Sequence, residues 1–195
     1  MVANPRRRES VADAALEILG RDGSRALTHR AVDILAEVPR GTCANYFPSR
    51  AALMLAMAQR IFDRLAPDPA RLSQLEQVQD KDALAEYAAY VIERLTLNPV
   101  LARALLELRL ESARAPDVAE VLAPFLRQGL HNDVTFHQAR GLAGDQLVVL
   151  LMHHVVNGIL LDHLTIPLDP GSDPSSTVKE AARLLSAPHA GGASQ

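Results

Sequence analysis

A chain of 195 residues that is 48% hydrophobic has material for a sizeable core, but 4% aromatics and no Trp leave Leu, Ala and Val to build it. Leu and Ala favour helix over strand, which argues against an all-β fold. The formal net charge of −3 hides an asymmetry: residues 1–64 hold ten Arg against seven acids, a balance of +3, whereas 65–195 carry −6. A basic end on an acidic body points one end, and not the other, toward phosphate.

The first helix shows Val11, Ala14, Ala15, Ile18 and Leu19 at the spacing of one apolar face. Arg6, Arg7 and Arg8 lead into this amphipathic segment, so nothing there reads as a signal peptide. These arginines are open to two readings, a solvated start or a contact to phosphate. The helix is expected to stop near Asp22 and Gly23, where Gly can take the left-handed C′ conformation. Leu27 and Thr28 then read as a staple residue and an N-cap, opening a short helix through Ala36. Pro39 suits the first turn of a third helix, brief and ending near Tyr46. Ser49 is the expected N-cap of a longer helix through about Leu65.

Pro67 and Pro69 mark a break. Beyond it, helices are predicted over about 80–97, 99–115, 117–139, 145–165 and 175–186, separated by Pro99, Pro116, Gly141, Gly144 and the segment 167–174. The expected fold is all-α: an N-terminal three-helix helix-turn-helix unit and a C-terminal antiparallel helical domain. Boundaries are placed at 1–48, 49–187 and a disordered tail over 188–195. The longest apolar stretch, 147–161, is broken by His153, His154 and Asn157 and falls short of the roughly 18–20 residues of a membrane span. No membrane partner and a cytoplasmic location are therefore expected. The single Cys43 excludes an internal disulfide and fits a reducing compartment.

The second and third helices lie almost end to end, the arrangement in which one helix braces and the next enters a major groove. The third reads PRGTCANY, with more donors than a helix this short needs for solubility. Arg40 can fork onto guanine or clamp phosphate, and Asn45 can pair bidentately with adenine. Thr42 and Tyr46 can donate to phosphate oxygens, and Gly41 lets backbone come close. Arg50, in the first turn of the fourth helix, can address a phosphate together with that helix's amides; Thr28 and Arg30 can do the same at the second helix.

Residues 27–53, LTHRAVDILAEVPRGTCANYFPSRAAL, resemble the DNA-binding motif of the tetracycline-repressor (TetR) family. The resemblance rests on Thr28, Val32, Ala36, Val38, Arg40, Gly41, Thr42, Tyr46, Phe47, Ser49, Arg50 and Leu53, with Ala14, Ala15 and Gly23 before them. It implies a homodimer on double-stranded operator DNA, released when a small molecule binds the C-terminal domain. The matching contact positions are Thr28, Arg30, Arg40, Thr42, Cys43, Asn45, Tyr46 and Arg50; Phe47 matches an aromatic that packs inside. As a residue in its own right, Cys43 reads as small apolar filler. Three departures stand out. Asp33 lies where the family has a small Ala, Glu37 replaces the turn Gly, and Ala44 replaces a frequent Tyr. A Cβ in a left-handed turn costs about 1 kcal/mol.

In the helix over 99–115, Leu101, Leu105, Leu108 and Ser112 share a face, and Arg109 projects within that apolar arc. A guanidinium facing the core pairs with an internal acid or helps bind an anionic or carbonyl-bearing ligand. The helix over 145–165 is apolar nearly all round, and the resemblance makes it part of a dimer interface. His153 and Asn157, four residues apart, are candidates for a ligand-pocket wall. Tyr87 and Tyr90 are open to the same reading or to plain packing. His153, His154, Asp162 and His163 offer no pair at metal-ligand spacing, and no cofactor is implied. The ligand expected from these walls is hydrophobic or amphipathic. The competing reading is a helical enzyme or metal protein whose trihelical unit is only structural. It lacks any nucleophile–base pair or glycine-rich phosphate loop, so no enzyme activity is expected.

Overall fold

The computed structural model describes residues 4–78 and 80–187; the tail expected over 188–195 lies outside them. Among the described residues there is no strand, and ten helices follow one another: α1 (Pro5–Asp22), α2 (His29–Leu35), α3 (Thr42–Tyr46), α4 (Arg50–Arg64), α5 (Pro69–Leu75), α6 (Asp80–Thr96), α7 (Pro99–Ser112), α8 (Pro116–Ala139), α9 (Gln146–Leu164) and α10 (Pro174–Ser186). The fold is all-α, as composition and periodicity imply.

Most starts are written in local chemistry. Asn4, Thr28, Ser49, Asn98 and Asp173 each accept from a backbone N–H three residues on. Proline stands in the first turn of α1, α5, α7 and α10, where a missing N–H costs nothing. Two elements differ from expectation. Helix α5 is absent from the sequence reading, because Pro69 reads as a breaker, yet with Asp68 capping Ala70 it is a helix start. Helix α3 begins at Thr42, leaving Pro39 and Arg40 in the preceding turn, closed by the Thr42 N–H on the Pro39 carbonyl at 3.1 Å.

Contacts divide the chain into two compact units. The first comprises the chain through Ala66 together with Leu95–Arg127. Its core joins Val11, Ala15, Leu16 and Leu19 of α1, Phe47, Met54, Met57 and Ile61 around α4, Leu101 and Leu108 of α7, and Val118 and Leu122 of α8. Burying a side chain of this size contributes about 1.5–3 kcal/mol. Helices α1 and α7 approach closely at Gly20, where a Cβ would lie 2.1 Å from the Val100 carbonyl oxygen. Arg103 donates to the Gly20 carbonyl at 2.8 Å beside this crossing. Arg60 of α4 holds Asp13 of α1 through two bonds of 3.0 and 2.8 Å.

The second unit comprises Pro67–Arg94 and the chain from Gln128 on. One cluster gathers Leu75, Ala83, Tyr87, Tyr90 and Leu142. The Asp68 N–H donates to the Tyr90 hydroxyl oxygen at 2.8 Å, tying the start of α5 to α6. Helices α9 and α10 pack together and bury Val148, Val149, Met152 and Leu160 of the one and Val178 and Ala182 of the other. The expectation that the apolar stretch is too short to span a membrane needs correcting. Helix α9 is 19 residues long and apolar enough to do so by length and composition, because the polar residues that interrupt the run do not end the helix.

Candidate nucleic-acid interface and ligand residues

The turn between α2 and α3 is built from an unpromising sequence. Glu37 sits at φ 53°, in the left-handed region that Gly occupies at no cost, so the strain expected there is present. The Val38 N–H closes the turn on the Asp33 carbonyl at 3.0 Å. Gly41, at φ 89°, is the N-cap of α3 and has no side chain with which to cap it. The Asp33 carboxylate does that work from the middle of α2. One oxygen accepts the Gly41 N–H and the other the Cys43 N–H, both at 2.7 Å. Asp33 is 4% exposed, so these are charge-assisted bonds in a site screened from water. The residue that looks like a steric misfit is the fastener of the turn.

Around this turn the sequence-selected residues separate by chemistry. Arg30, Arg40 and Asn45 are exposed, and their side chains bond no other residue among those described. Thr28 is exposed and accepts the Ala31 N–H, leaving its own O–H to donate outward. The Thr42 hydroxyl donates to the Pro39 carbonyl at 2.6 Å, and Tyr46 reaches the Asn4 carbonyl at 3.5 Å. Both hydroxyls, expected to donate to phosphate, already have an internal acceptor. The N-cap of α1 therefore lies beside Tyr46 of α3, and Arg8, within α1, places its guanidinium 4.8 Å from the Phe47 ring centre. Phe47 itself is fully buried, as the resemblance implies.

One residue is corrected outright, and a second is already engaged. Cys43 is 0% exposed and belongs to the core, so its thiol offers no surface to DNA. Burial, and after it the Asp33 charge, push that thiol up to about 11. Arg50 is not aimed outward alone: it donates to Glu111 of α7 at 2.7 Å and approaches the Ser24 carbonyl at 3.5 Å. Glu111 lies 61 positions along the chain, beyond the reach of any local pattern.

The ligand candidates differ in what they touch. Arg109 is exposed, contrary to its place within the apolar arc. It stands in the last turn of α7, and from there a long side chain reaches water whatever its angle on the wheel. His153 bonds Asp133 of α8 at 2.9 Å. The Asn157 amide donates to the His153 carbonyl at 2.6 Å on its own helix. The His–Asn spacing thus reports a backbone bond as well as a shared face. Tyr87 is buried against the edge of Phe136, ring centres 5.0 Å apart, with no partner for its hydroxyl among the described residues. Tyr90 and Arg94 form a pair that the sequence reading misses: the Arg94 guanidinium lies 4.9 Å from the Tyr90 ring, and burial lowers its pKa. Their i, i+4 spacing is the signal that could have found them.

Known proteins share both this sequence pattern and this architecture. Residues 79–187 match the family model described as "Tetracyclin repressor-like, C-terminal domain". The HTH-type transcriptional repressor KstR of Rhodococcus jostii (strain RHA1) is 34% identical over 80 residues, which span 40% of this chain and 38% of that protein. The multidrug binding protein EbrR, solved with ethidium, superposes with a TM-score of 0.72 at 25% identity, covering 94% of this chain and 99% of that one. A TetR-family regulator from Rhodococcus sp. shares the fold with a TM-score of 0.70 at 20% identity, covering 93% and 100% of the two chains. The family match extends over more than half of the chain, and the chain belongs to the tetracycline-repressor-like (TetR) family of transcriptional regulators.

Proposed function

We propose that this protein is a cytoplasmic, ligand-responsive repressor that binds operator DNA as a homodimer and leaves it when a small-molecule inducer binds. The observation that carries the reading is the turn at Asp33. It holds α3 in place while Arg40 and Asn45 stay exposed and bonded to no other residue among those described. In this reading residues 1–48 are the DNA-binding domain and 49–187 the ligand-binding and dimerisation domain. Arg40 and Asn45 read base edges, Thr28 and Arg30 hold phosphate, and Gly41 admits the backbone closely. Thr42 and Tyr46 join them by exchanging their internal acceptors for phosphate oxygens, and Arg50 by leaving Glu111.

A stripe on α9 supports the homodimer. Leu147, Leu150, His154, Gly158 and Leu161 recur at intervals of three and four, all exposed, with no atom within 4 Å of a Cβ built on Gly158. Leu184 of α10 is 68% exposed as well. Such a stripe, with a small residue near its centre, suits a second copy of the same helix pair. Tyr87 supports the ligand role, because a buried hydroxyl without an acceptor gains from any ligand carbonyl. His153 and Asn157 remain candidates beside it. EbrR, solved with ethidium, favours an amphipathic or aromatic compound. Release follows if the ligand prefers a dimer whose α3 helices no longer match the half-sites.

The test is a gel shift on the DNA upstream of the protein's own gene, with wild type, Arg40→Ala and Asn45→Ala. Losses of about 1–3 kcal/mol, or about five- to 150-fold, are expected for each variant at unchanged helix content. Wild-type affinity retained in both would remove α3 from the groove.

A further inference from the structure

We infer that Asp33 is the positioning residue that gives this protein its sequence preference on DNA, an inference that rests on the repressor reading above. A five-residue helix cannot sustain itself, since nucleation fixes several residues for a single bond. The first N–H groups of such a helix have no partner of their own, and Gly41 supplies no cap. Asp33 takes two of these donors, one on each carboxylate oxygen. It also brackets Thr42, because the accepted N–H groups belong to the residues on either side of it. That pair of bonds fixes both the start of α3 and its rotation about its own axis. Arg40 and Asn45 flank the fastened stretch, so their approach to base edges depends on it. No other side chain bonds these two amides among the described residues.

Affinity for operator and affinity for DNA in general, which a merely structural role would move together, come apart when Asp33 is changed. Attraction of arginines to phosphate does not require α3 at one angle, whereas bidentate base contacts do. Asp33→Asn keeps the volume but offers one acceptor and turns an NH2 donor toward the second amide. Asp33→Ala removes both acceptors. Each variant is measured against an operator duplex and a scrambled duplex of equal length and composition, at one salt concentration. The expected result is a fall of tenfold or more in operator affinity, with scrambled-duplex affinity within threefold of wild type. In the uncomplexed protein, the Gly41 and Cys43 amide protons exchange at least tenfold faster in Asp33→Asn than in wild type, while the amides of α4 are unchanged.

Unchanged discrimination, an equal fall on both duplexes, or unchanged exchange at Gly41 and Cys43 would overturn the assignment. If Asp33→Ala does not fold, the near-isosteric Asp33→Asn decides alone. Wild type binding both duplexes equally would instead bring down the repressor reading itself, a result separable because it appears before any variant is made.

Discussion

At the scale of single residues, the chemistry of the turn between α2 and α3 differs from what size alone suggests. Taken as a bulky replacement for Ala, Asp33 forecasts strain; taken as two acceptors, it supplies the bonds that α3 lacks. Those acceptors reach residues eight and ten positions on, a range no helical period covers. Glu37 was legible, because a residue with a Cβ at the turn position has one conformation to adopt, and it adopts it. Cys43 was legible as filler from its own chemistry; only the family's contact positions placed it on DNA. Its burial has a consequence at alkaline pH. The thiol, ordinarily near 9.0, is pushed up to about 11 in the folded chain. The unfolded state therefore releases this proton first. The stability that comes from keeping the thiol neutral is complete below pH 9.0 and is lost as pH climbs through about 11. The gap between folded and unfolded thiol corresponds to roughly 2–3 kcal/mol. Urea midpoints measured from pH 8 to 11 should fall more steeply for wild type than for Cys43→Ala. Parallel curves would mean the thiol is more accessible than the structure places it.

At the scale of elements, starts were easier to read than partners. Thr28 and Ser49 declare their helices because a cap acts within three residues. Asp68 and Pro69 declare α5 by the same rule, and α5 is missed only when proline is taken as punctuation. The exposure of Arg109 was not legible, because an angle on a wheel carries no information about where along the axis a side chain leaves the packed region. Arg50 was half legible: its place in the first turn of α4 follows from Ser49, but Glu111 is supplied by α7. The α1–α7 crossing gives the element-scale prediction. Gly20→Ala places a methyl against the Val100 carbonyl, which the backbone must yield to accommodate. Overpacking of this kind costs about 1–3 kcal/mol, read as a lower urea midpoint at unchanged helix content. A variant as stable as wild type would show that α1 and α7 slide apart without cost.

At the scale of the whole molecule, the apolar character of α9 was visible in sequence, and its division into two faces was not. One face packs with α10 inside the second unit; the other presents Leu147, Leu150, Gly158 and Leu161 to solvent. Length and composition alone admit a membrane span; in the proposed homodimer a second protomer covers this face instead. Leu161→Glu and Leu184→Glu, each made on an exposed position, should convert a dimer into folded monomers by sedimentation velocity. Dimers persisting in both would move the interface elsewhere.

The proposed repression requires that α3 and the turn before it read duplex DNA. Fluorescence anisotropy of a labelled duplex from the protein's own upstream region, against a scrambled duplex across a salt series, tests that requirement most directly. The account predicts a complex that weakens steeply with salt, since each phosphate contact contributes a slope of about 0.9 in log affinity against log salt. It also predicts a preference for the upstream duplex by a factor of about 10³ or more, the low end for specific regulators. Equal affinity for both duplexes throughout the series, or no binding to either, would contradict it.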